Sequence, residues 1–369
     1  MKTGRKRRGK GAGSRSSKQP PGNHPNAAIK DENAGERRKK REGMQGKTGI
    51  QQPLIVAVCG DSGSGKTTLT DGMVQVFGQE RIQHICLDDY HLLDRTARIR
   101  AGISALHPDA NNLALMTEQL QRLARGESIV KPVYDHTSGT FAAPETIHPT
   151  EIIIVHGLHP LLTPELRDLA DVRIYLDPEH ALQQQWKIIR DSTMRGYTVE
   201  QVRQQIAERR RDSYLYIQPQ KRFADMIVRF SRSHRYYQTR SLAHLDVRLI
   251  QPMHAPRIDL SDVIEASANG VRPALRLFME EYNGNPCSAL EIDAEISHEK
   301  ACELEDCIWA HMAEASDLRP AGLDQLGHFP LGNDLRQSDC LALTQLILLY
   351  HIISARHRLK NGQTLSRPQ

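Results

Sequence analysis

Between residues 54 and 230 apolar runs of strand length alternate with segments whose apolar positions recur at helical spacing. Leu54-Ile-Val-Ala-Val-Cys59 is an uninterrupted apolar run, and the segment from Leu69 to Val76 has helical character. Ile82-Gln-His-Ile-Cys-Leu87 reads as a second strand. Leu113–Gly126 carries apolar residues at 113, 116, 120 and 123 and closes on a glycine, which predicts a helix. Glu151-Ile-Ile-Ile-Val155 and Val172-Arg-Ile-Tyr-Leu176 read as buried strands. Glu179–Gly196 and Thr198–Arg211 read as helices, and Asp225–Phe230 as a further strand. Strands alternating with helices predict a parallel sheet covered on both faces. Ligands of such sheets sit beyond the carboxyl ends of the strands, where Asp88-Asp89, His156-Gly-Leu-His159 and Asp177 fall. From about Arg232 the pattern changes: short β-like runs lead to two helical stretches, Ser297–Ala315 and Asp339–Arg356.

The loop after the first strand identifies a chemistry. Gly60-Asp61-Ser62-Gly63-Ser64-Gly65-Lys66-Thr67-Thr68 matches the phosphate-binding pattern G-x-x-x-x-G-K-[ST], set between a strand and a helix as that pattern requires. The glycines let backbone N–H groups turn inward around phosphate oxygens. A helix opening at Lys66 adds its dipole and unpaired N–H groups. Lys66 offers a mobile charge to the β- and γ-phosphates, and the Thr67 hydroxyl can hold Mg²⁺. The expectation is an ATP-binding α/β protein: a P-loop NTPase-like, mostly parallel sheet with helices on both faces, extended by a C-terminal α+β subdomain. The expected divisions are a basic tail (1–50), the P-loop domain (51–232), the α+β subdomain (233–360) and a short flexible end (361–369).

Charge changes the picture of the tail and little else. Residues 1–47 hold 15 Lys/Arg and 4 Asp/Glu, a net of +11; the whole chain carries +5, leaving −6 on residues 48–369. Lys6-Arg-Arg8 and Arg37-Arg-Lys-Lys-Arg41 lie among Gly, Ser, Pro and Asn, a composition too polar to fold alone. A solvated extension is the preferred reading, with contact to nucleic acid or an acidic protein as the alternative. No secretory apolar region appears in the tail, and no run approaches the ~18 apolar residues of a membrane span. A cytoplasmic setting is expected, with a plastid as the alternative. The six cysteines (59, 86, 287, 302, 307 and 340) do not form a secreted disulfide pattern. Cys302, Cys307 and His311 sit in what reads as one exposed helix with no fourth ligand nearby, so zinc is not expected there.

Two further clusters bear on mechanism. In Cys86-Leu-Asp88-Asp89-Tyr90-His91-Leu-Leu-Asp94-Arg95, a carboxylate at a strand end opposite a phosphate loop can accept a proton from an attacking hydroxyl or ligate Mg²⁺. One of the two aspartates is expected only to support the turn. In Trp186-Lys187-Ile-Ile-Arg190-Asp191-Ser-Thr-Met-Arg195-Gly196, helical spacing puts Lys187, Arg190, Asp191 and Arg195 on one face. Alone this is an ordinary salt-bridge ladder. Beside a phosphate loop it becomes a candidate lid that neutralises charge during phosphoryl transfer.

Together these segments resemble the phosphoribulokinase/uridine kinase family of P-loop kinases, in its plant and cyanobacterial form. The resemblance rests on Ile85–His91 with Leu93-Asp-Arg-Thr96, Lys131-Pro-Val-Tyr-Asp-His136, Gly157-Leu-His-Pro160, Trp186–Asp191 with Arg195-Gly196, and Pro219–Asp225. It spans about Pro53 to Phe230 and is weaker at Ser288–Asp293 and Leu341–Ala355. It implies ATP- and Mg²⁺-dependent phosphorylation of the C1 hydroxyl of ribulose 5-phosphate, as in the carbon fixation of the Calvin cycle, by a homo-oligomer, expected as a dimer. Asp88 would be the base. His91 and Arg95 would hold the sugar phosphate, with Arg195 assisting. Lys187 and Arg190 would stabilise the transferring group, and Asp191 with Thr67 would place Mg²⁺. A related sugar-phosphate or uridine kinase is the near alternative.

The chain departs from that pattern twice. The family carries Glu before Gly-Leu-His-Pro, where this chain has His156, and neutral imidazole is a poor ligand for Mg²⁺. A slower or metal-shifted kinase is expected, with a catalytically weak nucleotide-binding scaffold as the other reading. The family's loop cysteine is Ser64 here. Of the regulatory pair only Cys86 remains, so no light-driven disulfide switch is expected; Cys59, which ends the strand, is expected to be a packed core thiol.

Overall fold

Each apolar run between 54 and 230 becomes a strand of one sheet because both of its faces are covered, leaving no polar side for the chain to show to water. The computed structural model describes residues 52–361 apart from 79, 234–243, 254, 270–271, 314, 316–318, 320–322 and 333. The basic tail and the His/Arg/Tyr-rich stretch near 236 therefore lie outside the described residues. The elements run β1 (Leu54–Gly60), α1 (Lys66–Phe77), β2 (Ile82–Cys86), α2 (Arg95–Ala101), α3 (Leu113–Ala124), β3 (Ile129–Asp135), β4 (Thr140–Ile147), β5 (Ile152–Gly157), α4 (Pro164–Leu169), β6 (Val172–Leu176), α5 (His180–Met194), α6 (Val199–Asp212) and β7 (Met226–Arg232). They continue with β8 (Leu245–Pro252), α7 (Ser261–Ser267), β9 (Leu275–Tyr282), β10 (Asn285–Ile292), α8 (His298–Ala310), β11 (His328–Leu331), β12 (Asp334–Gln337) and α9 (Asp339–Lys360).

The main sheet has eight strands in the order β2-β5-β1-β6-β7-β8-β10-β9. The first five pair in parallel, and β8, β10 and β9 add antiparallel strands. The sheet is thus continuous across residue 232: the strands after that point extend the same sheet. β1 lies between β5 and β6, so the loop leaving it opens where the chain's crossovers diverge, the usual ligand position in such sheets.

One face of the sheet packs α1, α8 and α9 through Leu69, Met73, Leu304, Ile308, Leu343 and Leu346; the other packs α3 and α4 through Met116, Leu120, Leu123 and Leu166. α9 extends four residues beyond the expected Arg356 and is apolar on most of its circumference, because it is buried for most of its length. α8 differs from the exposed helix expected over 299–315. It stops at Ala310 and buries Ala301, Leu304, Ile308 and Trp309. The β3–β4 hairpin was not anticipated: β4 is exposed at every position but Ile147, so no alternation betrays it.

α9 also reaches the phosphate-loop helix. Gln345, fully buried, donates to the Thr68 carbonyl at 3.0 Å and accepts from the Gly327 N–H at 2.8 Å. A Cβ on Gly72 of α1 would lie 2.1 Å from the Gln345 amide nitrogen, so glycine is what allows this approach.

Candidate functional site

The loop from Gly60 to Gly65 turns through two left-handed glycines, Gly63 at φ +80° and Gly65 at φ +92°. Gly65 caps α1 with no side-chain cap hydrogen bond among the described residues, which leaves first-turn N–H groups for an anion. Lys66 folds back and donates to the carbonyls of Gly60 and Asp61, each at 2.9 Å. Burial lowers its pKa, opposed by Asp88 and Asp61. Asp61 is occupied within the loop: it accepts from the Ser62 N–H at 2.5 Å and from the Ser213 hydroxyl. Thr67 is exposed on the first turn of α1, while Thr68 is tied to Gln345 through its carbonyl. Ser64 is buried, its hydroxyl has no hydrogen-bond partner among the described residues, and a Cβ on Gly60 would lie 2.6 Å from that oxygen.

α5 lies against this loop. Lys187 and Arg190 both reach the Ser62 hydroxyl, at 3.4 and 3.2 Å, and Gln183 donates to the Ser62 carbonyl at 3.0 Å. A Cβ on Gly63 would be 2.8 Å from Lys187 Cβ. Asp191 is the centre of the cluster. Its Oδ2 accepts from Lys187 at 2.6 Å, and its Oδ1 takes Arg190 at 2.8 Å and Arg195 at 3.3 Å. Burial acts to raise its carboxyl, but Arg190 and Lys187 together bring it down to about 2. Lys187 is lowered to about 8, chiefly by burial, with Asp191 opposing. Three cations on one carboxylate leave a net positive charge facing the loop, which suits an arriving polyphosphate.

Across from α5, the 3-10 turn Leu87–Tyr90 carries the two aspartates to different tasks. Asp89 accepts from Lys131 at 2.6 Å and from the Tyr134 N–H at 2.8 Å, binding the turn to β3. It is the aspartate that serves the turn. Asp88 is open to solvent at one quarter of its side chain and has no such anchor; His136 Nε2 stands 4.0 Å from it. Burial would raise its carboxyl, but His91, Lys66, His136 and His156 bring it to about 2, so it is ionised.

His91 is buried, bonded through Nδ1 to Asn111 at 2.7 Å, and packed edge-on against Tyr134. Burial holds its pKa down to about 4, so at neutral pH it is a hydrogen-bonding imidazole and not a cation. Arg95 donates to the His136 carbonyl at 2.5 Å and lies over the Tyr197 ring. The charges of Arg95, Arg190 and Asp88 all act on Arg195. His156 is the next-to-last residue of β5, in register with Cys86. Its side chain is buried, the ring makes no hydrogen bond among the described residues, and its pKa is lowered to about 4, mostly by burial and then by Lys66. The loop, Asp88, His156, Lys187, Arg190, Asp191 and Arg195 therefore face one space at the carboxyl end of the sheet. His91 and Arg95 line the α2 side of it.

Sequence reasoning assigned no role to His136, Tyr197 or Arg209. His136 lay in a recognised motif, but its place beside Asp88 depends on the unread hairpin. Arg209 on α6 reaches the cluster's field only through the fold; burial lowers its pKa, and Arg98 and Asp191 act on it. Cys59 takes its expected place as a packed core thiol, donating to Gln220 at 3.3 Å. It pairs with Gly157 on one side of β5 while Cys86 pairs with His156 on the other. An intervening strand separates them by more than a disulfide spans.

A phosphate loop on a parallel sheet, a free carboxylate opposite it, and a helix of cations closing the third side define a P-loop kinase that transfers a phosphoryl group to a hydroxyl. The profile of the phosphoribulokinase/uridine kinase family matches residues 55–235. The chain is 36% identical over 264 residues to the phosphoribulokinase of Synechocystis sp., covering 68% of this chain and 79% of that one. It is 31% identical over 296 residues to the chloroplastic phosphoribulokinase of Chlamydomonas reinhardtii, covering 71% and 77%. Among solved structures it is similar to a phosphoribulokinase from Rhodobacter spheroides (TM-score 0.52, 18% identity, 83% of this chain and 99% of that one), a likeness of fold. The chain belongs to the phosphoribulokinase/uridine kinase family. No described helix is long and apolar enough to cross a membrane.

Proposed function

We propose that this protein transfers the γ-phosphoryl group of ATP to the C1 hydroxyl of ribulose 5-phosphate, giving ribulose 1,5-bisphosphate. The observation that carries the reading is the contact of Lys187 and Arg190 with Ser62 of the phosphate loop, opposite an unanchored, ionised Asp88. In this reading Gly60–Thr68 cradle the phosphates, and Lys66 leaves its two carbonyl partners to meet the β- and γ-oxygens. Lys187 and Arg190 stabilise the charge on the transferring group, held in place by Asp191. Asp88 orients the C1 hydroxyl and takes its proton late in the transfer, as befits a weakly basic carboxylate and a loose transition state. Arg95 and Arg195 supply charge to the 5-phosphate, and His91 a neutral hydrogen bond. An acceptor that already carries a phosphate explains these groups better than a nucleoside does.

The oxygen donors of Thr67 and Asp88 suit Mg²⁺, which takes few protein ligands and keeps waters and phosphate oxygens. Asp191 is assigned to the clamp instead, since both of its oxygens are engaged by cations. When bound, Mg²⁺ neutralises charge on the β- and γ-phosphates. His156 adds no oxygen, which favours a slower kinase than one with a second carboxylate there.

Phosphorus NMR of a reaction containing ATP and ribulose 5-phosphate tests the reading. A new monoester on C1 is expected with ADP. ATP hydrolysis without it, or no turnover despite tight ATP binding, would favour the nucleotide-binding scaffold.

A further inference from the structure

Beside the loop, three donors of mixed chemistry converge from three elements. Cys86 ends β2, Asp88 lies in the following turn, and His136 follows β3. The Cys86 Sγ, an Asp88 carboxylate oxygen and a His136 ring nitrogen lie within 4.8 Å of one another, and all three side chains are partly open to solvent. One of the three is already directed at another, and a second is free to meet a ligand. His136 is pinned by its carbonyl to Arg95 and by edge contact with Tyr134, leaving its ring nitrogen toward Asp88. Asp88 has no competing hydrogen bond among the described residues.

From this geometry we propose that Cys86, Asp88 and His136 form an inhibitory site for a thiophilic divalent cation, Zn²⁺ by its ligand chemistry. A sulfur, nitrogen and oxygen set disfavours Mg²⁺ and matches zinc sites that keep an open fourth position. Tetrahedral bonds of about 2.0–2.3 Å place ligand atoms about 3.3–3.7 Å apart, so from separations within 4.8 Å the trio closes by about 1.5 Å at most. Without metal a cysteine thiol carries its proton, and it is the thiolate that ligates a metal. Zinc entry replaces that proton, which leaves to solvent, and forms the Zn–S bond with no change of oxidation state. The inhibitory consequence rests on the proposed role of Asp88, because a carboxylate bound to zinc cannot receive the acceptor's proton or serve Mg²⁺.

Binding and inhibition are read separately on the full-length, chelator-treated protein. Titration with Co²⁺ as a spectroscopic substitute for zinc is expected to give a thiolate-to-metal charge-transfer band at one equivalent, displaced by Zn²⁺. Cys86→Ser should abolish that band and His136→Gln weaken binding by tenfold or more, while Cys302→Ser, an unrelated thiol, leaves both unchanged. In the kinase assay, Zn²⁺ should inhibit reversibly by chelation, and Cys86→Ser, measured against its own zinc-free rate, should need at least ten times more. A missing band, or one that survives Cys86→Ser, overturns the site. A zinc-sensitive rate that Cys86→Ser does not shift overturns the inhibitory role. Cobalt binding through Cys86 in a protein that phosphorylates no acceptor would uphold the site while removing the function proposed above.

Discussion

Asp191→Asn keeps the shape of the clamp's central residue and removes its charge. The carboxylate is almost wholly buried and meets Lys187 at 2.6 Å, Arg190 at 2.8 Å and Arg195 at 3.3 Å. At an effective dielectric of about 20, the Lys187 contact alone is worth about 6 kcal/mol of direct attraction, much of it offset by desolvation. Breaking a buried pair by removing one partner costs about 3–5 kcal/mol. The lower end applies here, since the two arginines are one quarter to one third exposed and can turn to water. A loss of about 3 kcal/mol lowers the unfolding midpoint of a body this large by about 4–5 °C. Lys187, deprived of the partner that opposes its burial, then deprotonates below its present value of about 8. With the clamp loosened, kcat is expected to fall by about 10²–10³, the scale of losing one oriented charge on a developing oxyanion. Thermal unfolding and steady-state kinetics on the same preparation read both effects. A midpoint within 1 °C of the parent and a kcat within threefold would refute the argument that Asp191 organises the cations.

Because burial lowers Lys187 to about 8, it is charged below that pH and neutral above it. kcat/KM should therefore fall as pH rises through about 8, and Lys187→Arg should move the fall upward; a parent profile flat to about pH 10 removes Lys187 from the clamp. His156→Glu places a second carboxylate beside Asp88 and Lys66, and the rate with Mg²⁺ is expected to rise on the order of tenfold, about 1.4 kcal/mol of barrier. An unchanged or slower rate means this position is not the weak point. Gly72→Ala drives a Cβ into Gln345 and should destabilise by about 1–3 kcal/mol in denaturant unfolding. If stability is unchanged, α9 does not hold the phosphate-loop helix in the way described.

The sequence made legible whatever local periodicity and spacing encode. Buried parallel strands are apolar throughout, so β1, β5 and β6 announced themselves, and the glycines of the loop have no use but a tight anion-facing turn. The i, i+4 spacing of Lys187 and Asp191 is by itself enough to gather the clamp on one helix face. The division of labour between Asp88 and Asp89 was legible as a question only; Lys131, forty-two residues away, answers it. The β3–β4 hairpin was hidden because its second strand is solvent-facing at nearly every position, and His136 was hidden with it. Pairing of β8, β10 and β9 onto the parallel sheet is likewise a long-range event that short β-like runs do not encode. The Gln345 contact with α1 joins residues 277 apart in sequence and follows from packing alone.

In the proposed reaction Arg95 and Arg195 serve an acceptor that already bears a phosphate. ADP release should be measured with ribulose 5-phosphate, ribose 5-phosphate and uridine in parallel, first with Mg²⁺ and then with Mn²⁺. Turnover is expected on ribulose 5-phosphate with a kcat/KM at least about a hundredfold above that on uridine. Turnover on uridine alone would contradict that reading.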